Sequence, residues 1–445
     1  MSPAASSDLF PLCYDHTDGW IRRGRVLEVR DGSVVVRLPS LTRGAVVSIS
    51  RPDGVPLLAE VCTIDGGGAG CRPLGSVRGL AVGAIATSTR ATLGSFVGDS
   101  LLGCAVDGWG RTAWGSSGSA IAVTASCCRA RTDRALISRS LRTGVSAIDC
   151  FATLGHGQRI ALFAGAGVGK STLLRRIVAQ ADVDARVVAL IGERSREATE
   201  TGRLLRDSGS WRTTTLVCAT AESSAAERCA AAVSATAQAE HLAAGGRRVL
   251  LVMDSLTRVA AAWRELALAG GEPAAHRGYP PSVVAVLADL VERAGAFQGS
   301  SITAVYAVLV DGDDPFEPVT DAVRGLLDGH ITLSRRLADA GRYPAVDVLR
   351  SLSRTMPAVV GAAHRADAAL VRRSIDALER AEDLLAIGAY QPGGDALLDA
   401  AVAVRGQIEA LIFDDDVTAT QTTPRLGDVA DVIRTALPGL ADRKA

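Results

Sequence analysis

The chain has 445 residues, and its 48 basic and 48 acidic side chains leave no formal net charge. That balance gives no bulk electrostatic reason to expect a nucleic-acid partner. The nine cysteines form no C-x-x-C pair and the six histidines no H-x-x-x-H pattern, which argues for a reduced, cytoplasmic chain and against a His/Cys metal centre.

The start of the chain shows no signal peptide, and no apolar run approaches the roughly 20 residues that span a bilayer. Residues 1–19 read as a loose leader. From 20 to about 89 the pattern is short strands and turns. Segments 24–29 and 33–38 flank Asp31-Gly32, a hairpin signal, and further strands are expected at 45–49, 56–64 and 84–87. Closely spaced short strands with glycine turns predict a small β-barrel. The exposed aromatics and clustered basic residues of an oligonucleotide-binding barrel are not prominent.

Strands and helices alternate through the next segment, 90–362. A strand at 159–163 enters a glycine-rich loop, and a helix follows at 171–180. Strands are expected at 187–191, 248–253, 302–310 and 329–333. An alanine-rich helix is expected over 221–244. Another, over 282–295, carries Val283, Leu287, Leu290 and Val291 on one face. Continuous apolar strands separated by helices predict a mostly parallel sheet covered on both faces, an α/β fold. Residues 363–445 are helical and amphipathic, over 366–387 and 396–412, broken by Gln391-Pro392-Gly393-Gly394. The acidic run 414–416 reads as a solvated loop, and the adjacent Cys127 and Cys128 read as packing rather than redox chemistry. The chain thus divides into leader and barrel (1–89), an alternating α/β domain (90–362) and a helical domain (363–445).

Lysine occurs only at 170 and 444, with arginine at every other basic position. Lys170 lies in Ala164-Gly165-Ala166-Gly167-Val168-Gly169-Lys170-Ser171-Thr172, a phosphate loop whose first position is alanine. A compact ammonium on a flexible stem reaches between β- and γ-phosphates where a planar guanidinium does not fit. Gly165, Gly167 and Gly169 let the backbone N–H groups of the loop, Ala166 and Val168 included, turn inward around phosphate oxygens. Ser171 offers a hydroxyl to a phosphate-bound Mg²⁺, and Thr172 completes the motif. Asp254 closes an apolar strand, where a carboxylate can hold Mg²⁺ through water. Glu193 follows another strand and can face the γ-phosphate. A helix-start glutamate stabilised by the helix dipole is the competing reading for Glu193.

Further segments carry a resemblance. They are Gly192-Glu193-Arg194, Met253-Asp254-Ser255-Leu256-Thr257-Arg258, Arg277-Gly278-Tyr279-Pro280-Pro281-Ser282-Val283 and Gly329-His330-Ile331-Thr332-Leu333-Ser334-Arg335. Tyr343-Pro344-Ala345-Val346-Asp347-Val348-Leu349, Ser353-Arg354 and Gly388-Ala389-Tyr390-Gln391-Pro392-Gly393 extend it. Together, over about 90–430, the chain resembles the export ATPases of type III secretion systems and bacterial flagella, relatives of the rotary ATP synthase α and β subunits. Ser195, where the family often has glycine, and the stretch 198–201 depart from the pattern. The region 116–128 shows fewer family motifs than expected.

The resemblance implies a RecA-like ATPase domain in a homohexameric ring, with ATP at subunit interfaces and ATP and Mg²⁺ as cofactors. It implies that Lys170 grips the phosphates, Ser171 binds Mg²⁺, Glu193 activates water, Asp254 supports the metal and Tyr343 stacks on adenine. Arg354 would be an arginine finger reaching into the neighbour's site, against an intrachain ion pair as the other reading. Arg194 and Arg258 would lie on the γ-phosphate side. The implied partners are a stator-type regulator at the N-terminal region, a central stalk protein, chaperone–substrate complexes and an export gate, with the ring peripheral to the inner membrane. Nucleic acid is not among them. A Rho-type RNA helicase shares the Asp-Ser-Leu-Thr-Arg segment but would need stacking aromatics in its barrel. A degenerate ring scaffold would not need Lys170, Glu193, Asp254 and Arg354 together. A synthase subunit would not combine Gly-Glu-Arg with an arginine-finger segment.

Overall fold

The computed structural model describes residues 12–14, 21–30, 32–114, 121–124, 134–310, 318–413 and 425–437. The rest of the leader, Cys127 and Cys128, most of 116–128, the acidic run 414–416 and Lys444 lie outside the described residues. The chain forms two compact units. One is drawn from Met1–Ala135, Val183–Val308 and Pro315–Leu326, the other from Leu136–Asp182, Leu309–Asp314 and Leu327–Ala445.

The first unit holds a closed antiparallel barrel. Its strands run Arg23–Arg30, Ser33–Arg37, Gly68–Pro73, Leu57–Asp65, Ala45–Ile49 and Ile85–Val97, and the last pairs back onto the first. Alternating side chains point inward, as the period of a strand requires, so Val34 and Val36 join Val26, Val47, Ile49 and Val61 in the barrel core. The leader is not loose throughout: Leu12–Tyr14 pairs with Ile85–Val97, Leu12 opposite Leu93. Leu12 is buried there, so the pairing gains both backbone hydrogen bonds and apolar burial. The boundary expected at 89/90 falls inside the strand Ile85–Val97.

The same unit carries parallel strands in the order Ser300–Leu309, Arg248–Asp254, Ala185–Ile191, Thr214–Ala219 and Cys104–Asp107, with short antiparallel strands Gly295–Phe297 and Thr112–Trp114 beside them. Every residue of Ala185–Ile191 is buried, as a sheet covered on both faces demands. The alanine-rich helix is Ala225–Ala244, started by Ser224, whose hydroxyl accepts from Glu227 N at 3.2 Å. Its small side chains permit close approach: Ala226 packs with Val46, Leu58, Ala91 and Trp109. The helix expected over 282–295 is Pro281–Glu292, and the chain then enters Gly295–Phe297.

In the second unit, Arg159–Ala164 pairs in parallel with Gly329–Leu333, which pairs antiparallel with Val346–Ser353. The helix Lys170–Gln180 buries Leu173, Leu174, Ile177 and Val178. The C-terminal helices are Ala362–Arg380, Glu382–Ala386, Ala396–Ala403, Arg405–Ile412 and Leu426–Ala436. The two expected helices are each split, at Ala381 and at Val404. Arg372 ties the first of these helices down, donating to Phe151 O at 2.7 Å and Ser351 O at 3.0 Å. The loop around Gly388–Gly393 is ordered by Asp399, which accepts from Tyr390 Oη and, at 2.8 Å, from Gly393 N. Among the described residues no helix is long and apolar enough to cross a membrane. Seven described cysteines are free thiols, and burial pushes Cys71, Cys218 and Cys229 up to about 12.

Candidate nucleotide site

The phosphate loop grows from the buried strand Arg159–Ala164. Its last residue, Gly169, has φ 90° and ψ 13°, a left-handed conformation that turns the chain into the helix beginning at Lys170. A helix leaves its first amides without intrahelical partners, and these point out of its N-terminus toward an anion. The loop backbone is held from outside. Val310 N donates to Ala164 O at 3.1 Å, and Arg335 Nη2 donates to Ala166 O at 3.2 Å. Ala166 and Gly167 are exposed, Ser171 is half-buried, Thr172 is exposed, and Lys170 is buried at 9% exposure.

Tyr343 stands at the other end of the loop. A Cβ on Gly169 would lie 3.3 Å from Tyr343 Cε1, and Tyr343 is 40% exposed. An aromatic face is therefore open beside the first turn of the phosphate-loop helix.

Arg354 follows the strand Val346–Ser353, its N–H donating to Asp328 O at 2.9 Å. Its neighbours are clamped by the fully buried Gln158. Gln158 Nε2 donates to Ser353 Oγ at 3.0 Å and to Asp328 O at 3.1 Å, and Thr355 Oγ1 donates to Gln158 Oε1 at 2.6 Å. The Arg354 side chain is exposed, and among the described residues no acceptor engages its guanidinium. The intrachain ion pair is absent from the described residues.

The acidic groups lie in the first unit. Asp254 ends the strand Arg248–Asp254 and is 3% exposed. In parallel register it partners Leu190, so Glu193 lies three positions beyond that point on the neighbouring strand's exit. Gly192 N donates to Ala219 O at 2.7 Å and Ala221 N donates to Glu193 O at 3.0 Å, which fixes the Glu193 backbone. Glu193 is half-buried and precedes Arg194, the N-cap of Ser195–Asp207; the acidic residue in that helix's first turn is Glu197. Arg258 sits in the first turn of Leu256–Ala269, capped by Ser255. The Arg258 side chain runs against Gly192: a Cβ there would be 3.0 Å from Arg258 Cβ. Arg194 and Arg258 are both exposed.

Residues 144–353 match the model of the ATP synthase alpha/beta family nucleotide-binding domain, and 360–423 match that of the T3SS EscN ATPase C-terminal domain. A type 3 secretion system ATPase of Pseudomonas syringae pv. syringae is 43% identical over 408 residues, 88% of this chain and 89% of that one. A flagellum-specific ATP synthase of Treponema pallidum is 41% identical over 411 residues, covering 89% of this chain and 92% of the other. The structure of the assembled ATPase EscN from the enteropathogenic E. coli type III secretion system is similar with a TM-score of 0.84 and 37% identity. That match covers 93% of this chain and 99% of EscN. The chain belongs to the export ATPases of type III secretion systems and flagella.

As an export ATPase the protein is an ATP hydrolase that serves protein export, built from a β-barrel, a RecA-like nucleotide-binding domain and C-terminal helices. Lys170, Ser171, Tyr343 and Arg354 belong to one compact unit; Glu193, Arg194, Asp254 and Arg258 belong to the other. Two residues of this export ATPase escaped sequence reasoning. Gln158 and Arg335 each act on a segment more than 160 positions away, and no local pattern marks them. Arg335 did stand in a quoted family segment, which was the available signal.

Proposed function

We propose that this chain hydrolyses Mg·ATP in a homohexameric ring, each site taking its arginine finger from the neighbouring subunit. The observation that carries the reading is Arg354: an exposed guanidinium with no acceptor among the described residues, on a segment clamped by Gln158 on both sides. A guanidinium so held is suited to spread positive charge over γ-phosphate oxygens of another chain's nucleotide.

Within each chain, the loop from Gly165 through Gly169 wraps the phosphates, Lys170 neutralises them and Tyr343 stacks on the adenine. Glu193 orients and deprotonates the attacking water. Arg194 and Arg258 face the γ-phosphate. Ser171 and, through water, Asp254 hold Mg²⁺, which supplies charge neutralisation when bound. The donor set fits that ion: a hydroxyl and a carboxylate are hard oxygen donors, and Mg²⁺ keeps waters and substrate phosphates as its other ligands.

The segments 1–89, 90–362 and 363–445 are the functional divisions of this reading. The similar EscN has been solved with its central stalk EscO, and we extend a central stalk partner to this chain. A stator-type regulator at the N-terminal region, chaperone–substrate complexes and an export gate complete the proposed setting, at the cytoplasmic face of the inner membrane. The barrel supports this over a Rho-type helicase: its six strands carry one aromatic, Phe96, which makes no platform for stacking bases.

Phosphate release by the wild type, Lys170→Ala and Arg354→Ala tests the reading. Loss of turnover in both, with ATP binding kept in Arg354→Ala, is expected. Wild-type turnover in Arg354→Ala would overturn the finger.

A further inference from the structure

The segment between Ser334 and Ala345 folds back on itself, Ser334 N donating to Ala345 O at 2.8 Å. It meets the phosphate loop at two points: Tyr343 lies at Gly169, and Arg335 lies at Gly165 and Ala166. The second contact has no role in the reading above. We infer that Arg335 is a positioning residue that sets the loop's affinity for nucleotide phosphates. The inference rests on loop 164–172 binding ATP.

The argument is one of peptide geometry. In a trans peptide the C=O and the following N–H point in opposite directions. Arg335 Nη2 holds Ala166 O at 3.2 Å, so the Gly167 N–H is directed away from Arg335. The bond from Val310 N to Ala164 O, at 3.1 Å, orients the Gly165 N–H in the same manner. A glycine-rich loop is otherwise free to turn these amides away from an anion. Fixing its carbonyls from outside pre-organises its donors before nucleotide arrives, and the ordering cost is then not charged to binding.

Gly165 completes the case. A Cβ there would lie 3.0 Å from Arg335 Nη2. The Gly165 backbone is not in the left-handed region, so alanine would be resisted by the guanidinium and not by backbone strain. The bare Cα of Gly165 lets the flexible guanidinium settle over the Ala166 carbonyl without shifting.

KM and kcat for ATP, from phosphate release by the full chain, test this. Arg335→Ala should raise KM about five- to tenfold, as for the loss of one exposed hydrogen bond, with kcat held within about twofold. Arg335→Lys keeps a donor and should recover most of the KM. Arg335→Gln keeps a neutral donor and should fall between the two, and it keeps the contact testable should Arg335→Ala not fold. An unchanged KM in Arg335→Ala, or a KM that fails to recover in Arg335→Lys, would overturn the inference. Lys170→Ala, run alongside, separates the two readings. If it is inactive while Arg335→Ala is normal, only the role of Arg335 is lost. If it hydrolyses ATP normally, the phosphate loop itself is misassigned.

Discussion

The Tyr343 ring lies against the backbone of Gly169, so close that a Cβ on the glycine would stand 3.3 Å from the ring edge. The residue that starts the phosphate-loop helix thus also seats an aromatic face 174 positions further along the chain. An adenine stacked there would gain about 1 kcal/mol from the ring. Tyr343→Ala is expected to raise KM for ATP several-fold, up to about tenfold, with little change in kcat, and Tyr343→Phe to stay near wild type. Steady-state hydrolysis measures both. An unaffected KM in Tyr343→Ala would remove the tyrosine from the base site.

Lys170 and Glu193 are expected to fail differently. Lys170→Ala should lose hydrolysis, since in the proposed site the ammonium neutralises the phosphates. Glu193→Gln should still bind ATP while turnover falls by ~10²-fold or more, as the general-base contribution is lost. Calorimetric ATP binding beside phosphate release separates the cases. Loss of binding in Glu193→Gln would make Glu193 a structural residue.

A finger supplied in trans would make activity depend on assembly. Specific activity should rise with protein concentration, and Arg354→Ala should lower turnover by ~10³-fold or more. Arg354→Ala chains keep a good phosphate loop, and Lys170→Ala chains keep a good finger. Mixed rings therefore contain some complete interfaces, and activity should partly return on mixing. No recovery in rings shown by mass to be mixed would count against a finger in trans.

Gln158 is fully buried among Gly155 N, Ser353 Oγ, Thr355 Oγ1 and Asp328 O. Gln158→Leu leaves Gly155 N without its partner and removes one bond each from Ser353, Thr355 and Asp328 O, the last of which keeps Arg354 N; a buried orphan costs on the order of 1–3 kcal/mol. A loss of about 3 kcal/mol in stability by urea titration is expected. A midpoint near that of the wild type would mean that water or a rearranged Thr355 takes the amide's place.

Much of the architecture was open to reading because its signals are local. Strands such as Ala185–Ile191 and Arg248–Asp254 are nearly continuous apolar runs, and burial on both faces leaves no other composition for them. The barrel strand Ser33–Arg37 shows as a run of three β-branched valines, and only its burial alternates, Val34 and Val36 inward. Gly68–Pro73 was missed because glycine, alanine, cysteine and proline carry no such run; its partners on either side make it a strand. Leu12–Tyr14 was missed because three residues are too few to show a period.

By itself, the sequence determined the chemistry that lies within a few consecutive residues. Phosphate binding by a loop uses successive backbone amides, so the run 164–172 carries it in linear form. Likewise, a carboxylate after an apolar strand is already placed by the strand, as with Asp254. Only the tertiary structure decided which distant residues hold those pieces in place. Arg335 reaches Ala166, Tyr343 reaches Gly169, and Gln158 clamps both neighbours of Arg354. The contacts of Arg335, Tyr343 and Gln158 depend on where strand ends meet and on side-chain packing, and neither leaves a periodic trace along the chain.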